Sequence, residues 1–536
     1  MYRWRFAGRV PDRVRIAPPD VRLADPQIAQ EIYSSRFPLA GHLVDSGGVS
    51  PFQVDVGESG WVRALHGFRW LRHLSAAGTD LAAANARSLV TDWMAHSGRD
   101  VAGQAWEPGI TAKRVIAWLQ HSSLILNGAE LPFYRAFLAS LATQVRYLRA
   151  VAPEMDAGKE RLRVRIALAF ASLSLPSSAS AVRAAARHLD AELTAQILPD
   201  GGHISRNPLT IPALLADLLP LRQTYANQAQ PPPAALVGSI DRMMQALRFF
   251  RHADGSLARF NGMGLTLQER INSLLRHDDS SATPLMHAPH SGYDRLALGQ
   301  TVVIADTGAA PPFEVSSTAH AGCLSFELSC GRNCFIVNCG VDSYGPPESR
   351  AFGRATAAHS TATVNDTSQG RFVHPARIHG IIGGSLRGGA GTVGHRRLDG
   401  PGSQGVVASH DAYVPEFGLV HQRELRLEDG GDVLSGVDRF QPVGRARAVP
   451  AAIRFHIHPD IDLFRAEDGG IGMAARAGMM WLFDCGDVRP DIEESIFFAA
   501  GGGPRTTGQI VLHLADARGR EVAWRFVRQD AQASQA

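Results

Sequence analysis

The sequence predicts a two-part fold of mixed α+β class: an all-helical N-terminal part built of antiparallel helix pairs, then a C-terminal antiparallel β-sandwich. Three observations predict it. Apolar residues recur with a helical period from Trp61 to about His277 and with a strand period after about Pro284. Gly, Pro and Asp-Gly breakers separate the helical runs into short-looped neighbours. The length of 536 residues suits two large domains.

Residues 1–60 are rich in Pro and Gly with little periodicity, and are expected to be an irregular N-terminal wrap. Residues 61–285 form the helical part. WVRALHGFRWLRHL puts Trp61, Leu65, Phe68, Leu71 and Leu74 on one stripe, which predicts a single helix over 61–74. The same pattern recurs over 80–95, 109–126, 132–151, 161–173, 179–198, 210–227 and 234–252. Such helix pairs either stack as a solenoid or close as an (α/α) toroid. Residues 286–536 form the sandwich. There QTVVIADTG, CLSFELSCG, CFIVNCGVD, GVVASHDAYV, HQRELRLEDGG, DVLSGVDRF, AIRFHIHPDIDL, MMWLFDCG and GQIVLHL read as strands.

Composition excludes several classes. The chain is 45% hydrophobic and 20% charged, ordinary for a folded protein. Lys+Arg is 54 against Asp+Glu 51, a net charge of +3. Lysine occurs only at Lys113 and Lys159, so the other 52 cations are arginines. No block of five or more basic residues stands out, which argues against a nucleic-acid partner. No run of 18 apolar residues exists, so no membrane span is expected. Met1–Pro11 carries charges early with no apolar run behind it, so the sequence shows no export signal and implies a cytoplasmic location. Cys323, Cys330, Cys334, Cys339 and Cys485 form no Cys-x-x-Cys pair and read as reduced, partly buried strand cysteines.

Chemistry-bearing residues fall in three clusters. LPDGGHISRNP (Leu198–Pro208) gathers His203, Ser205, Arg206 and Asn207. It reads either as a carboxylate grip with a proton-transferring histidine, or as a plain turn leading into a helix with Pro near its start. STAHAGCLSFELS places His320 at the opening of a strand. FGRATAAHSTATVND places Arg354 and His359 before another, with Arg371 beyond. Tyr344 sits in the Gly-rich connection VDSYGPP, as a packing residue or a proton shuttle. His456 and His458 share one strand face and read as a sheet-surface pair, with a metal site as the alternative.

Together, LHGFRWLRHL, LPDGGHISRNP and the run HAGCLSFELSCGRNCFIVNCG…YG…RATAAHSTATVNDTSQGRF resemble the heparinase II/III-like family of polysaccharide lyases. The resemblance implies an N-terminal (α/α) toroid, a C-terminal β-sandwich and β-elimination at a uronic acid. In these terms His203, Tyr344, His320 and His359 are the candidate catalytic residues, and Arg206, Asn207, Arg354 and Arg371 the candidate substrate-binding residues. The family motif His-x-His-Ala-Asp-x-Leu-Ser-Phe appears with Thr318 for the first His, His320 for the second and Gly322 for the Asp. Zinc-holding members imply a metal at His320 and His359, but Asn338 stands where their Asp would be, leaving a weak structural zinc site and no required cofactor. The expected partner is an acidic, uronate-containing polysaccharide, with an oligomer possible; family members are often periplasmic. The alternative is a non-catalytic acidic-glycan-binding or envelope-polysaccharide assembly protein on the same fold.

Overall fold

A computed structural model describes residues 3–57, 59–277, 283–342, 345–373, 384–466, 469–476, 478–486 and 488–529. The chain divides into two compact units. The first comprises Met1–Ile197, Pro212–Asp241 and Asn272–Asp279; the second comprises Leu198–Ile211, Arg242–Ile271 and Ser280–Ala536. The loop 198–211 and the segment 242–271, which the periodicity assigns to the helical part, thus pack with the strands.

The first unit is helical. Its helices include Asp80–His96, Pro108–Gln120, Leu131–Val151, Lys159–Ser174 and Ala179–Gln196. The single helix expected over 61–74 is two, Ser59–His66 and Leu71–Ala77. The break falls at Phe68, whose φ is 55°. Phe68 is fully buried and packs edge-on to Trp93 and Trp118, while Trp70 donates its indole N–H to the carbonyl of Leu65. The apolar residues stay buried through the break, Trp61 and Leu65 before it and Leu71 and Leu74 after it. The 109–126 helix is likewise two, Pro108–Gln120 and Ser122–Leu126. The N-terminal segment is less irregular than its composition predicts. Asp25 caps a Pro26–Tyr33 helix by accepting from Gln27 N, and Arg36–Leu39 pairs antiparallel with His42–Asp45.

One buried carboxylate organises this unit electrostatically. Asp217 is fully buried and ion-paired with Arg22, with Arg69 at 2.9 Å and with Arg163 at 3.5 Å. Burial alone would raise its pKa, but the three guanidinium groups hold the carboxyl below the usual range.

The second unit is a sandwich of two antiparallel sheets. An eight-stranded sheet runs, edge to edge, Val393–Arg397, Gln404–His410, Leu419–Glu428, Val433–Pro442, Glu521–Gln529, Met480–Asp484, Ile471–Ala475 and Ile461–Arg465. The other runs Asp491–Phe497, Arg505–Leu514, Ala451–Ile457, Asn333–Val337, Phe326–Cys330, Thr301–Asp306, Tyr293–Leu298 and His287–Ala288, with Ala362–Val364 also against Ala451–Ile457. Both sheets feed one core that includes Phe326, Ile453, Phe455, Trp481, Trp524 and Phe526. Leu419–Glu428 alternates strictly between buried and half-exposed residues, as a strand with one covered face requires. Gly436 has a packing reason: a Cβ there would lie 2.2 Å from the Trp524 ring. All five cysteines are free. Cys330 and Cys334 lie on strands, whereas Cys323, Cys339 and Cys485 lie just outside them, a correction to the strand reading of all five.

Asp217→Asn removes the charge that compensates three guanidinium groups. We expect a loss of about 3–5 kcal/mol in chemical denaturation of the full chain. A midpoint unchanged from wild type would show that the arginines are solvated rather than paired.

Candidate functional site

The loop 198–211 is held by its own polar side chains. Asp200 accepts from Gly202 N and, through its second oxygen, from His290 N and Ser291 N at 2.8 and 2.7 Å. Gly201 has φ 82°, and a Cβ there would sit 1.9 Å from the Arg242 carbonyl oxygen, so only glycine fits.

Arg206 follows with φ 55°. Its Nε–H donates to Ser291 O at 2.7 Å, Nη1 to the carbonyls of Gly308 and Ala309, and Nη2 to Gly292 O and Asp306 Oδ1. These contacts take up all five guanidinium N–H groups. Tyr293 lies under the guanidinium at 4.7 Å and donates its hydroxyl to the Arg206 carbonyl. Burial works against the charge, but Asp306 at 2.6 Å outweighs it and holds Arg206 charged. Arg206 therefore anchors the loop and has no donor left for a substrate carboxylate, contrary to its expected role.

His203 and Asn207 flank this anchor. His203 is 1% exposed, and its Nδ1 accepts from Ser205 N at 3.1 Å with Ser205 Oγ at 2.8 Å. The neutral ring then carries its proton on Nε2. Asn207 Oδ1 accepts from Leu209 N, and Nδ2 donates to Thr318 Oγ1 at 3.2 Å. Thr318 belongs to the motif that also contains His320, so the loop and the sandwich motif, 111 residues apart, meet here.

His320 and His359 form one hydrogen-bonded pair. His359 Nδ1 donates to Ala355 O at 2.8 Å, which leaves its Nε2 as acceptor. His320 Nδ1 donates to that Nε2 at 2.8 Å, and His320 Nε2 accepts from Gly262 N at 2.7 Å. Every ring nitrogen is thus assigned, and both rings are neutral. Burial pushes His359 down to about 4, and burial together with His359 and Arg354 pushes His320 well below its usual value. Gly322 makes the pair possible, because a Cβ there would lie 2.5 Å from His359 Cδ2.

The implied zinc does not fit these residues. Two nitrogens on one tetrahedral zinc lie about 3.3 Å apart for Zn–N bonds of about 2.0–2.1 Å. Here the facing nitrogens are 2.8 Å apart and joined by a proton. Asn338 Oδ1 accepts from Ser360 N at 3.0 Å and supplies no anionic ligand.

Of the remaining expected residues, the two described arginines are engaged with other groups. The Arg354 guanidinium donates to the carbonyls of Ala319, Ser316 and Gly384 and stacks on Phe372, so it braces backbone. Arg371 has an 84% exposed side chain with Glu416 at 3.5 Å. Tyr344 lies outside the described residues. His456 is buried rather than on the sheet surface: Nε2 donates to Ala357 O at 2.9 Å, and Nδ1 meets Ser495 Oγ at 2.8 Å.

A second polar cluster has no counterpart in the sequence reading. Asp294, fully buried, receives His287 Nδ1 and Arg397 Nη1 on one oxygen, and His395 Nε2 and Thr307 Oγ1 on the other. His287, His395 and Thr307 line a cavity of about 470 Å³. These side chains offer three metal-ligand atoms. However, the two imidazoles stack at 4.4 Å with planes 7° apart, so their in-plane lone pairs do not converge on one ion. Asp294 and His395 are 101 residues apart, and no spacing announces them.

Comparison with known proteins agrees with this architecture. The structure superposes on heparinase III with a TM-score of 0.75 at 14% identity, over 98% of this chain and 88% of that one. Against heparan sulfate lyase HepC from Pedobacter heparinus the TM-score is 0.63 at 18% identity, over 99% and 88%. The fold is an N-terminal (α/α) toroid followed by an antiparallel β-sandwich. Residues 281–525 match the family described as Heparinase II/III-like, C-terminal. The chain is also 32% identical over 540 residues to FtsZ-localized protein C of Caulobacter vibrioides (strain NA1000 / CB15N), covering 98% of this chain and 92% of that protein. The chain belongs to the heparinase II/III-like family.

The neutral histidines make stability depend on pH. Burial holds His359 at about 4 and His456 at about 3, with His320 also well below its usual value. In the unfolded chain each takes a proton below about pH 6.5. Their contribution is complete above that value and is lost as pH falls from about 6.5 toward 4. The melting temperature should therefore decline steadily through this window; a flat profile down to pH 4.5 would refute the neutral pair. For the metal, we expect purified protein to hold less than one zinc per chain and to melt at the same temperature with and without EDTA. Stoichiometric zinc whose removal lowers the melting temperature would overturn the assignment of protons between His320 and His359.

Proposed function

We propose that the chain binds an acidic, uronate-containing polysaccharide and cleaves it by β-elimination. Membership of the heparinase II/III-like family supports this reading. The observation that carries it is the Asn207–Thr318 contact, which joins the loop bearing His203 to the motif bearing His320. In this reading the uronate carboxylate takes hydrogen bonds from neutral donors, Asn207 and His203, because Arg206 is fully engaged. Those donors draw charge onto the carboxylate and acidify the C5 proton. Tyr344, the tyrosine of the sandwich motif, removes that proton. Tyr344 acts here as its phenolate: the electron pair left at C5 forms the C4–C5 double bond, the bond from C4 to the glycosidic oxygen breaks, and the Tyr344 phenol returns the proton to the leaving oxygen.

Specific observations favour a second reading, a non-catalytic acidic-glycan-binding protein of envelope assembly. Both lone pairs of the His320–His359 pair are engaged, and one relative is named for localisation with FtsZ.

The folded protein incubated with a panel of uronate polymers separates the two. Lyase activity gives the ultraviolet absorbance of the unsaturated, conjugated product. Asn207→Ala should then lower kcat by about 10²–10³-fold, the usual cost of losing one preorganised donor, and Tyr344→Phe should lower it at least as far. Binding without product from any polymer would establish the second reading.

A further inference from the structure

The helical unit contains a pocket of about 630 Å³ whose lining includes Arg9, Arg15, Arg146 and Arg149, against one carboxylate, Asp12. Arg146 and Arg149 stand three residues apart on the Leu131–Val151 helix and so share a face. Arg146 fixes the opposite wall: its guanidinium donates to the carbonyls of Phe6 and Arg9. Arg15 N donates to Ser174 O at 2.7 Å, which seats the extended segment against the end of the Lys159–Ser174 helix. The side chains of Arg9, Arg15 and Arg149 make no hydrogen bond or ion pair among the described residues.

Four cations around one small volume repel one another unless an anion joins them. Ser178 lies on the rim and caps the Ala179–Gln196 helix, whose positive end adds to the field. Guanidinium groups bind planar carboxylates bidentately. The rest of the lining includes Val10, Pro11, Leu175 and Pro176, apolar surfaces suited to the C–H faces of sugar rings. A lone inorganic anion would leave most of this volume unfilled.

We propose that this pocket binds a short stretch of carboxylated sugar chain, as a second contact for an acidic polysaccharide. It belongs to the helical unit, whereas His203 and Asn207 belong to the other. The inference takes the polymer class from the proposed function but needs no turnover.

The test titrates the full chain with oligogalacturonate of defined length by calorimetry. Arg15→Glu/Arg149→Glu should weaken binding by about tenfold or more, the loss of one charged hydrogen bond at least, with the melting temperature unchanged. Binding lost in the arginine variant while no unsaturated product ever forms would support the pocket and refute lyase activity. Wild-type affinity in the arginine variant would overturn the pocket, whatever the product assay gives. Inorganic phosphate or anionic phosphatidylglycerol vesicles bound through these arginines, with no oligogalacturonate bound, would overturn the sugar assignment.

Discussion

The Arg206 guanidinium is the constraint on which the candidate site depends. Its five N–H groups reach four backbone carbonyls and one carboxylate, all 85 to 103 residues further along the chain. A buried guanidinium is tolerable only when each donor is satisfied and the charge is balanced. Asp306 is pulled two ways: burial pushes its carboxyl up while Arg206 pulls it down. Burial is the larger influence and leaves the carboxyl above its ordinary value, while the guanidinium at 2.6 Å and the Gly308 N–H on the same oxygen offset part of that rise. With the loop tied in this way, His203 and Asn207 are carried on a rigid support rather than on a free turn.

Around that anchor the site is built from neutral groups. His203, the Asn207 amide and the His320–His359 pair present hydrogen bonds with defined direction and no net charge. The full charges nearby are engaged with protein atoms, Arg206 with Asp306 and Arg354 with three carbonyls. Recognition of an anion here rests on aimed dipoles, whereas unpaired positive charge collects in the helical unit around Arg9, Arg15 and Arg149.

Much of the fold is legible in the residues because burial imposes a period. Leu419–Glu428 and Val433–Pro442 alternate as strands covered on one face must, and the long helices carry their stripes. What escaped is set by contacts distant in sequence. Tyr293–Leu298 begins with four buried residues in a row and so lacks alternation. The helix break at Phe68 coincides with edge-on packing against Trp93 and Trp118, which come from other helices. In the site, the loop and the two histidines were visible as polar residues in suspicious places, although His320 and His359 precede the strands Phe326–Cys330 and Ala362–Val364 rather than opening them. Their roles were not, because a guanidinium in a turn looks the same whether it meets a ligand or four carbonyls. The Asp294 cluster left no trace, since its members come from separate strands.

Gly322 carries a steric consequence. Glycine at this position leaves the space that the His359 ring fills. A side chain at 322 would push the His359 ring aside and leave the His320 Nδ1–H without its acceptor. Any larger side chain at 322 can be accommodated only together with a rearranged His359. The smallest side chain in the motif thus sets the geometry of its two largest polar rings.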